Sequence, residues 1–152
     1  MRTFSFKLKA LLKLKETKRD QALSQFAFSI NEVDRLEDGF LDAQKRYQSV
    51  LKLLHDSQRG NFKSSQIEAL QSSLLLEKEN LAQTELNLKQ AKEIASARRK
   101  IFLEKDSELK AISLLKEKQK QAHYFSENKK EQAELEDITG ARFLFKRINS
   151  QV

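Results

Sequence analysis

The side chains that most often carry chemistry are few and scattered in this chain. Only two histidines occur, His55 and His123, they lie far apart in sequence, and cysteine is absent. No second histidine or cysteine stands at zinc-ligand spacing from either one, so the sequence does not predict a metal site. It also lacks a glycine-rich phosphate loop and a recognisable serine, histidine and aspartate combination. We therefore expect a protein that is not an enzyme and binds neither a cofactor nor a small-molecule substrate.

The composition favours long helices. The chain has no proline and only three glycines, and 34% of its residues are charged, so almost nothing in it would end a helix. Its length allows one domain, and we expect an elongated rod without a deep pocket. No apolar run approaches the ~20 residues that span a bilayer, and lysines interrupt the first fifteen residues, unlike a signal peptide. The absence of cysteine suits a reducing compartment, so we expect a cytoplasmic protein.

The clearest pattern is a heptad stripe in the first third of the chain. Its members follow one another at alternating spacings of four and three, and the residues between them are mostly charged. This spacing predicts a helix that buries one narrow face against another helix. All members but one are apolar: Ala22, Phe26, Ser29, Val33, Leu36, Phe40, Ala43, Tyr47, Val50 and Leu54.

A turn and a second stripe follow. Gly60 and Asn61 both accept left-handed backbone angles, and Ser64 or Ser65 with Glu68 resembles a capping box that opens a new helix. The second stripe consists of Ile67, Leu70, Leu74, Leu81, Leu88, Ala91, Ala95, Phe102, Leu109 and Ile112. Polar residues fill its other positions, namely Glu77, Thr84, Arg98 and Lys105.

These features predict one all-α domain over residues 1–152, a long antiparallel two-helix coiled-coil hairpin. Helix one would cover about 5–57, the turn 58–64 and helix two about 65–139, with Gly140 as a left-handed stop before a short tail, 140–152. Helix two would then be longer than helix one. Either its C-terminal part projects past the N-terminus, or it is interrupted around 74–80. We expect one hairpin with some irregularity near the bend.

The net charge of +7 is unevenly distributed. Residues 1–19 hold seven basic residues and one acidic residue, a cluster that is either simply solvated or meets an acidic partner. A basic coiled coil that binds nucleic acid through its phosphates is therefore an alternative function. Against nucleic acid, lysines elsewhere are interleaved with glutamates instead of forming one stripe.

Both ends of the chain resemble one protein family. The last third has a leucine-lysine-glutamate-lysine run ending at Lys118, then aromatic residues, then Glu131-Gln132, and an acidic pair before Ile138. The opening places Phe4, Phe6, Leu8, Leu11, Leu12 and Leu14 before a charged helix. This arrangement resembles the FliJ family of flagellar type III export proteins. One departure is the order Glu136-Asp137, since the family more often has the aspartate first.

The resemblance implies a stalk without catalysis, peripherally associated with the inner membrane at the flagellar base. Its implied partners are the hexameric export ATPase, the cytoplasmic domain of the export gate and export chaperones. The equivalent stalk of a virulence type III secretion system is a second form of the same interpretation. The ATPase end would comprise Phe4, Phe6, Leu8, Leu12, Phe143, Phe145 and Arg147 if the hairpin brings the two termini together. The gate end would comprise Tyr47, Leu51, Leu70 and Leu74, of which Tyr47, Leu70 and Leu74 also belong to the stripes.

Overall fold

The computed structural model describes residues 2–151, which form two α-helices joined by a turn. Helix α1 spans Lys9–Ser57 and helix α2 spans Ser64–Asn149. The two helices pack against each other as an antiparallel hairpin, and the described part of the chain has no β-strand. The predicted all-α fold with two long helices is confirmed.

The heptad spacing correctly identified the contact face of each helix. Every member of the first stripe, Ala22 to Leu54, is buried or half-buried, and so is every position of the second stripe from Ile67 to Ile112. Among the polar positions, Ser29 is only 3% exposed and Arg98 is half-buried. The periodicity therefore predicted burial even where the residue itself is polar.

The turn lies where the sequence placed it, but its capping differs from the prediction. Helix α1 ends at Ser57, whose hydroxyl donates a 2.6 Å hydrogen bond to the carbonyl oxygen of Leu54. At the start of α2, the backbone N–H of Lys63 donates to the side-chain oxygen of Gln66 at 3.1 Å. Gln66 therefore makes the reach-back bond of a capping box instead of Glu68. No residue from 2 to 151 has a positive φ, so this turn forms without the left-handed angles expected of Gly60 and Asn61.

Helix α1 begins four residues later than predicted, at Lys9 instead of about residue 5. Residues 2–6 are neither helix nor strand, and the ring of Phe6 is 8% exposed while Phe4 is half-buried. An extended chain alternates its side chains, so Phe4 and Phe6, two residues apart, point to the same side. Packing of these two rings on α2 therefore outweighs the helix propensity of the first residues.

Helix α2 is continuous through residues 74–80 and runs to Asn149, so the expected stop at Gly140 and the irregularity near the bend are both wrong. A glycine inside a helix costs only about 1 kcal/mol, and no proline follows it. The residues after Gly140 also stabilise the helix end, because Lys146 and Arg147 lie in its last turn, where cations interact favourably with the helix dipole. The predicted tail is therefore helical.

The chain forms two compact units. The central unit is Lys18–Lys105, and the terminal unit combines the residues up to Thr17 with those from Asp106 onward. In the central unit the rings of Phe26 and Phe102 stack with centroids 6.3 Å apart, and Ala43 is fully buried. In the terminal unit Phe6, Leu12 and Leu109 form a small core. The single domain predicted for residues 1–152 stays a prediction.

Candidate partner-binding site

The N-terminal segment, residues 2–8, is held against α2 by an apolar cluster. Phe6, Leu12 and Leu109 are each less than 10% exposed, and Phe4 and Ile112 pack against them. Of the predicted ATPase-end residues, Phe6 and Leu12 therefore stabilise this packing and are not accessible to a partner. Leu8 is 38% exposed and remains accessible.

Polar contacts fix the beginning of the same segment. The backbone N–H of Arg2 donates to a carboxylate oxygen of Glu127 at 3.4 Å, and His123 Nε2 lies 2.8 Å from the carbonyl oxygen of Arg2. The ring of Phe4 lies 5.7 Å from the ring of His123. Sequence reasoning considered His123 only as a metal ligand and missed this role. Its spacing of four residues from Glu127 was the available signal, because that spacing puts both side chains on one face of a helix.

Low pH is expected to loosen the N-terminal segment. The hydrogen bond from the Arg2 backbone N–H, and then that from Lys130, lower the pKa of Glu127. A carboxylate whose pKa is lower in the folded state stabilises that state above its unfolded pKa, and the contribution disappears as the pH falls through its folded pKa. Between pH about 6 and about 3 the NMR signal of the Arg2 amide should therefore move toward its position in an unfolded peptide. Glu127→Gln should remove this dependence, and an unchanged pH dependence in that variant would contradict the assignment.

Beyond Glu127, α2 continues as a helix of exposed residues, here called the C-terminal segment, residues 128–149. Every residue of this segment is exposed, whereas α2 before it has a buried or half-buried residue in almost every turn. It is about 33 Å long at 1.5 Å per residue. Its large apolar side chains are each at least half exposed, namely Leu135, Ile138, Phe143, Leu144, Phe145 and Ile148. Three basic residues, Arg142, Lys146 and Arg147, lie among the last of these.

The two groups of predicted ATPase-end residues do not meet. Arg2 lies beside Glu127, and Phe143 comes sixteen residues later, about 24 Å further along the helix. Phe143 and Phe145 are 66% and 67% exposed. The accessible aromatic residues of the terminal unit therefore lie on α2, at Tyr124, Phe125, Phe143 and Phe145. Binding of a partner by the predicted residues remains a prediction.

Near the bend, three of the four predicted gate-end residues lie in the helix contact. Tyr47, Leu70 and Leu74 are half-buried members of the stripes, while Leu51 is 44% exposed. Sequence reasoning missed the two leucines that follow Leu74, although they are 60% and 66% exposed; they are Leu75 and Leu76. Their position directly after a stripe residue was the signal, because neighbours on a helix point about 100° apart.

A polar contact inside the central unit joins the helices at the stripe. Arg98 donates to the hydroxyl of Ser29 at 2.8 Å and to the carbonyl oxygen of Gln25 at 3.3 Å. The Ser29 hydroxyl itself donates to the same carbonyl at 2.9 Å. This arrangement satisfies the buried hydroxyl, and no buried side-chain polar atom in the described residues lacks a partner. It accounts for two of the polar residues in the stripes, Ser29 and Arg98.

Removing this contact is expected to weaken the hairpin measurably. Arg98→Ala should lower the free energy of unfolding by about 1–2 kcal/mol, since hydrogen bonds to charged groups are stronger than neutral ones. Arg98→Met removes the same hydrogen bonds and should cost less than Arg98→Ala only by the apolar packing of the side-chain stem, which methionine retains. Urea unfolding followed by circular dichroism measures both. Equal losses in the two variants would show that the stem contributes nothing, contrary to this interpretation.

Residues 2–151 contain neither a candidate metal site nor a candidate membrane span. No group of three or more histidine, cysteine or acidic side chains is arranged to hold a metal ion. Neither helix contains a stretch that is long and apolar enough to cross a membrane.

Comparison with known proteins identifies a family. Residues 4–147, nearly the whole chain, match the family described as Flagellar FliJ protein. Searches of curated proteins and of solved structures gave no significant match.

Proposed function

This chain belongs to the FliJ family of flagellar proteins, and we propose that it is a stalk that binds the hexameric export ATPase of the flagellar type III export apparatus. The family has an export role and consists of components without catalysis. In this proposal the chain does no chemistry. It changes the behaviour of the ATPase subunits that it touches and conveys that change to the export gate and to export chaperones.

The observation that carries the proposal is the C-terminal segment. Most of the stability of a helix in a protein comes from packing of one of its faces, and every residue of this segment is exposed, so a partner that covers one face would stabilise it. The segment exposes Phe143 and Phe145 beside Arg142, Lys146 and Arg147. Aromatic residues and arginine are the types that most often dominate the binding energy of protein interfaces. These properties support the segment as the part that enters the ATPase ring.

The residues near the bend between α1 and α2 support a second contact, with the export gate or with chaperones. Leu51 is the accessible member of the predicted gate-end group, and Leu75 and Leu76 add exposed apolar surface. Neighbouring exposed leucines are typical of surfaces that bind a partner. In this proposal the chain acts at the cytoplasmic face of the inner membrane, at the flagellar base, through its partners.

A binding and turnover experiment tests the proposal. The full chain is mixed with the export ATPase of the same organism, the complex is isolated on a tagged ATPase, and ATP hydrolysis is measured with and without the chain. We expect a complex and faster ATP turnover that saturates as the chain is added. Absence of binding together with unchanged turnover would overturn the proposal.

A further inference from the structure

A groove runs along one side of the helix contact in the central unit and is here called the central groove. It has a volume of about 420 Å³, and both helices contribute to its walls. The half-buried stripe residues Leu36 and Ala91 line it where the helices meet. Phe28 of α1 and Ile94 of α2 also line it and are 61% and 52% exposed. The central groove therefore presents apolar surface that the fold itself does not cover.

Arg98 brings a positive charge without a counter-ion to the central groove. It is half-buried, and its guanidinium donates only to the neutral oxygens of Ser29 and Gln25, so no acidic side chain within residues 2–151 pairs with it. The other two charged residues of the groove, Glu32 and Arg35, pair with each other at 2.9 Å. A guanidinium has five N–H donors, so Arg98 has donors left for a further acceptor. Beside apolar side chains, the acceptor that it favours most is a carboxylate.

The spacing along α2 suits a third helix. Ile101 follows Ile94 by seven residues, so it lies on the same face about 10.5 Å further along, and it is 45% exposed. Arg98 stands between these two isoleucines, and Phe28 lies on the opposite wall of the groove. Apolar residues that flank a two-helix seam at heptad spacing are the ones that a third helix covers. A small molecule would need a pocket that encloses most of its surface, and the exposure of Phe28 and Ile94 shows that this groove is open.

We propose that the central groove binds an amphipathic helix of another protein that carries a glutamate or aspartate within its apolar face. The carboxylate binds Arg98, and the apolar residues on either side of it cover Phe28, Ile94 and Ile101. This inference goes beyond the proposed function, because the groove belongs to the central unit, whereas the proposed ATPase contact belongs to the terminal unit.

Two synthetic helical peptides test the proposal on the full chain without any export protein. The first has leucine at its third, tenth and fourteenth positions and glutamate at its seventh, on a background of alanine and glutamine, and the second has glutamine at the seventh position instead. A hydrocarbon staple on the opposite face keeps both peptides helical. Fluorescence anisotropy should show that the glutamate peptide binds about tenfold more tightly, as expected for one hydrogen-bonded contact between opposite charges. Absence of binding by either peptide overturns the proposal, as does equal binding of the two.

Arg98→Met separates the charge from the packing. Methionine retains the apolar stem and lacks the N–H donors, so the two peptides should bind this variant with affinities within about twofold of each other. Because both peptides are compared on the same protein, any loss of stability in Arg98→Met affects them equally. A tenfold preference for the glutamate peptide that persists in Arg98→Met would overturn the role of Arg98.

Ile94→Ala tests the apolar wall and should weaken the binding of both peptides about tenfold. Leu103→Ala is its matched control, because Leu103 is 47% exposed and lies nine residues after Ile94, on the opposite side of α2. It should leave both affinities unchanged, and equal losses in the two variants would overturn the groove as the binding surface. Sedimentation of the chain alone checks for a second copy in the groove, and titration with decanoate checks for a small carboxylate. A dimer that Ile94→Ala abolishes, or binding of decanoate without binding of the peptides, would overturn the helical partner.

Discussion

Replacing Phe143 and Phe145 together with alanine should lower the affinity of the chain for the export ATPase by about 100-fold, with a matching loss of stimulated ATP turnover. Both rings are two-thirds exposed in the free chain and become buried in the proposed complex. Loss of about 1.4 kcal/mol for each of the two aromatic contacts gives 2.8 kcal/mol, which corresponds to a factor of about 100. Binding is measured by titration of the ATPase with the labelled chain.

Phe28→Ala is the matched control for this double variant. Phe28 is 61% exposed, similar to Phe143 and Phe145, but it lies on α1 in the central unit. Its replacement should leave ATPase affinity unchanged, and neither change should alter urea unfolding by more than about 0.5 kcal/mol. Equal losses of affinity in both variants would mean that exposed aromatic surface, wherever it lies, drives the association.

Phe6→Ala should release the N-terminal segment from α2. Phe6 is 8% exposed and contacts Leu12 and Leu109, so its loss removes the largest side chain of the small core in the terminal unit. Buried Phe→Ala changes cost about 3–5 kcal/mol, and the lower figure applies at this peripheral site. The detached population should then rise by roughly 150-fold. Trypsin cleavage after Lys7 measures it, because slow cleavage reports the population of the open state.

Two further observations make the Phe6 experiment decisive. Phe4→Ala removes a half-buried ring from the same segment and should give a smaller increase in cleavage. Urea unfolding of the central unit should not change, since Phe6 belongs to the terminal unit. Unchanged cleavage in Phe6→Ala would show that the contacts of Arg2 with His123 and Glu127 hold the segment by themselves.

The contact faces of the helices could be predicted because the cause is local. A residue's burial in a two-helix contact follows from its place in the heptad, and the rule held for apolar and polar residues alike, including Arg98 and Thr84. The family could also be predicted, since the patterns that carry it lie at both ends of the chain and the match extends over residues 4–147.

The helix ends could not be predicted, because tertiary contacts and small free-energy differences decide them. Glycine is a common residue at the C-terminal end of a helix, but Gly140 lies inside α2. Its cost to helix stability, about 1 kcal/mol, is smaller than the stabilisation gained when the helix continues to a basic last turn. At the other end, Phe4 and Phe6 gain more from packing on α2 than from joining α1, and this depends on residues more than a hundred positions away. The candidate site changed for the same reason. In the structure Phe6 and Leu12 are core residues instead of accessible ones, and residues 140–149 are an exposed helix instead of a tail.

Hydrogen exchange of the chain with and without the export ATPase tests most directly whether the C-terminal segment is the binding element. The amides of residues 128–149 should exchange quickly in the free chain and at least tenfold more slowly in the complex. Residues 18–105 should show little change on ATPase binding. Protection that appears in the central unit while residues 128–149 continue to exchange quickly would contradict the account.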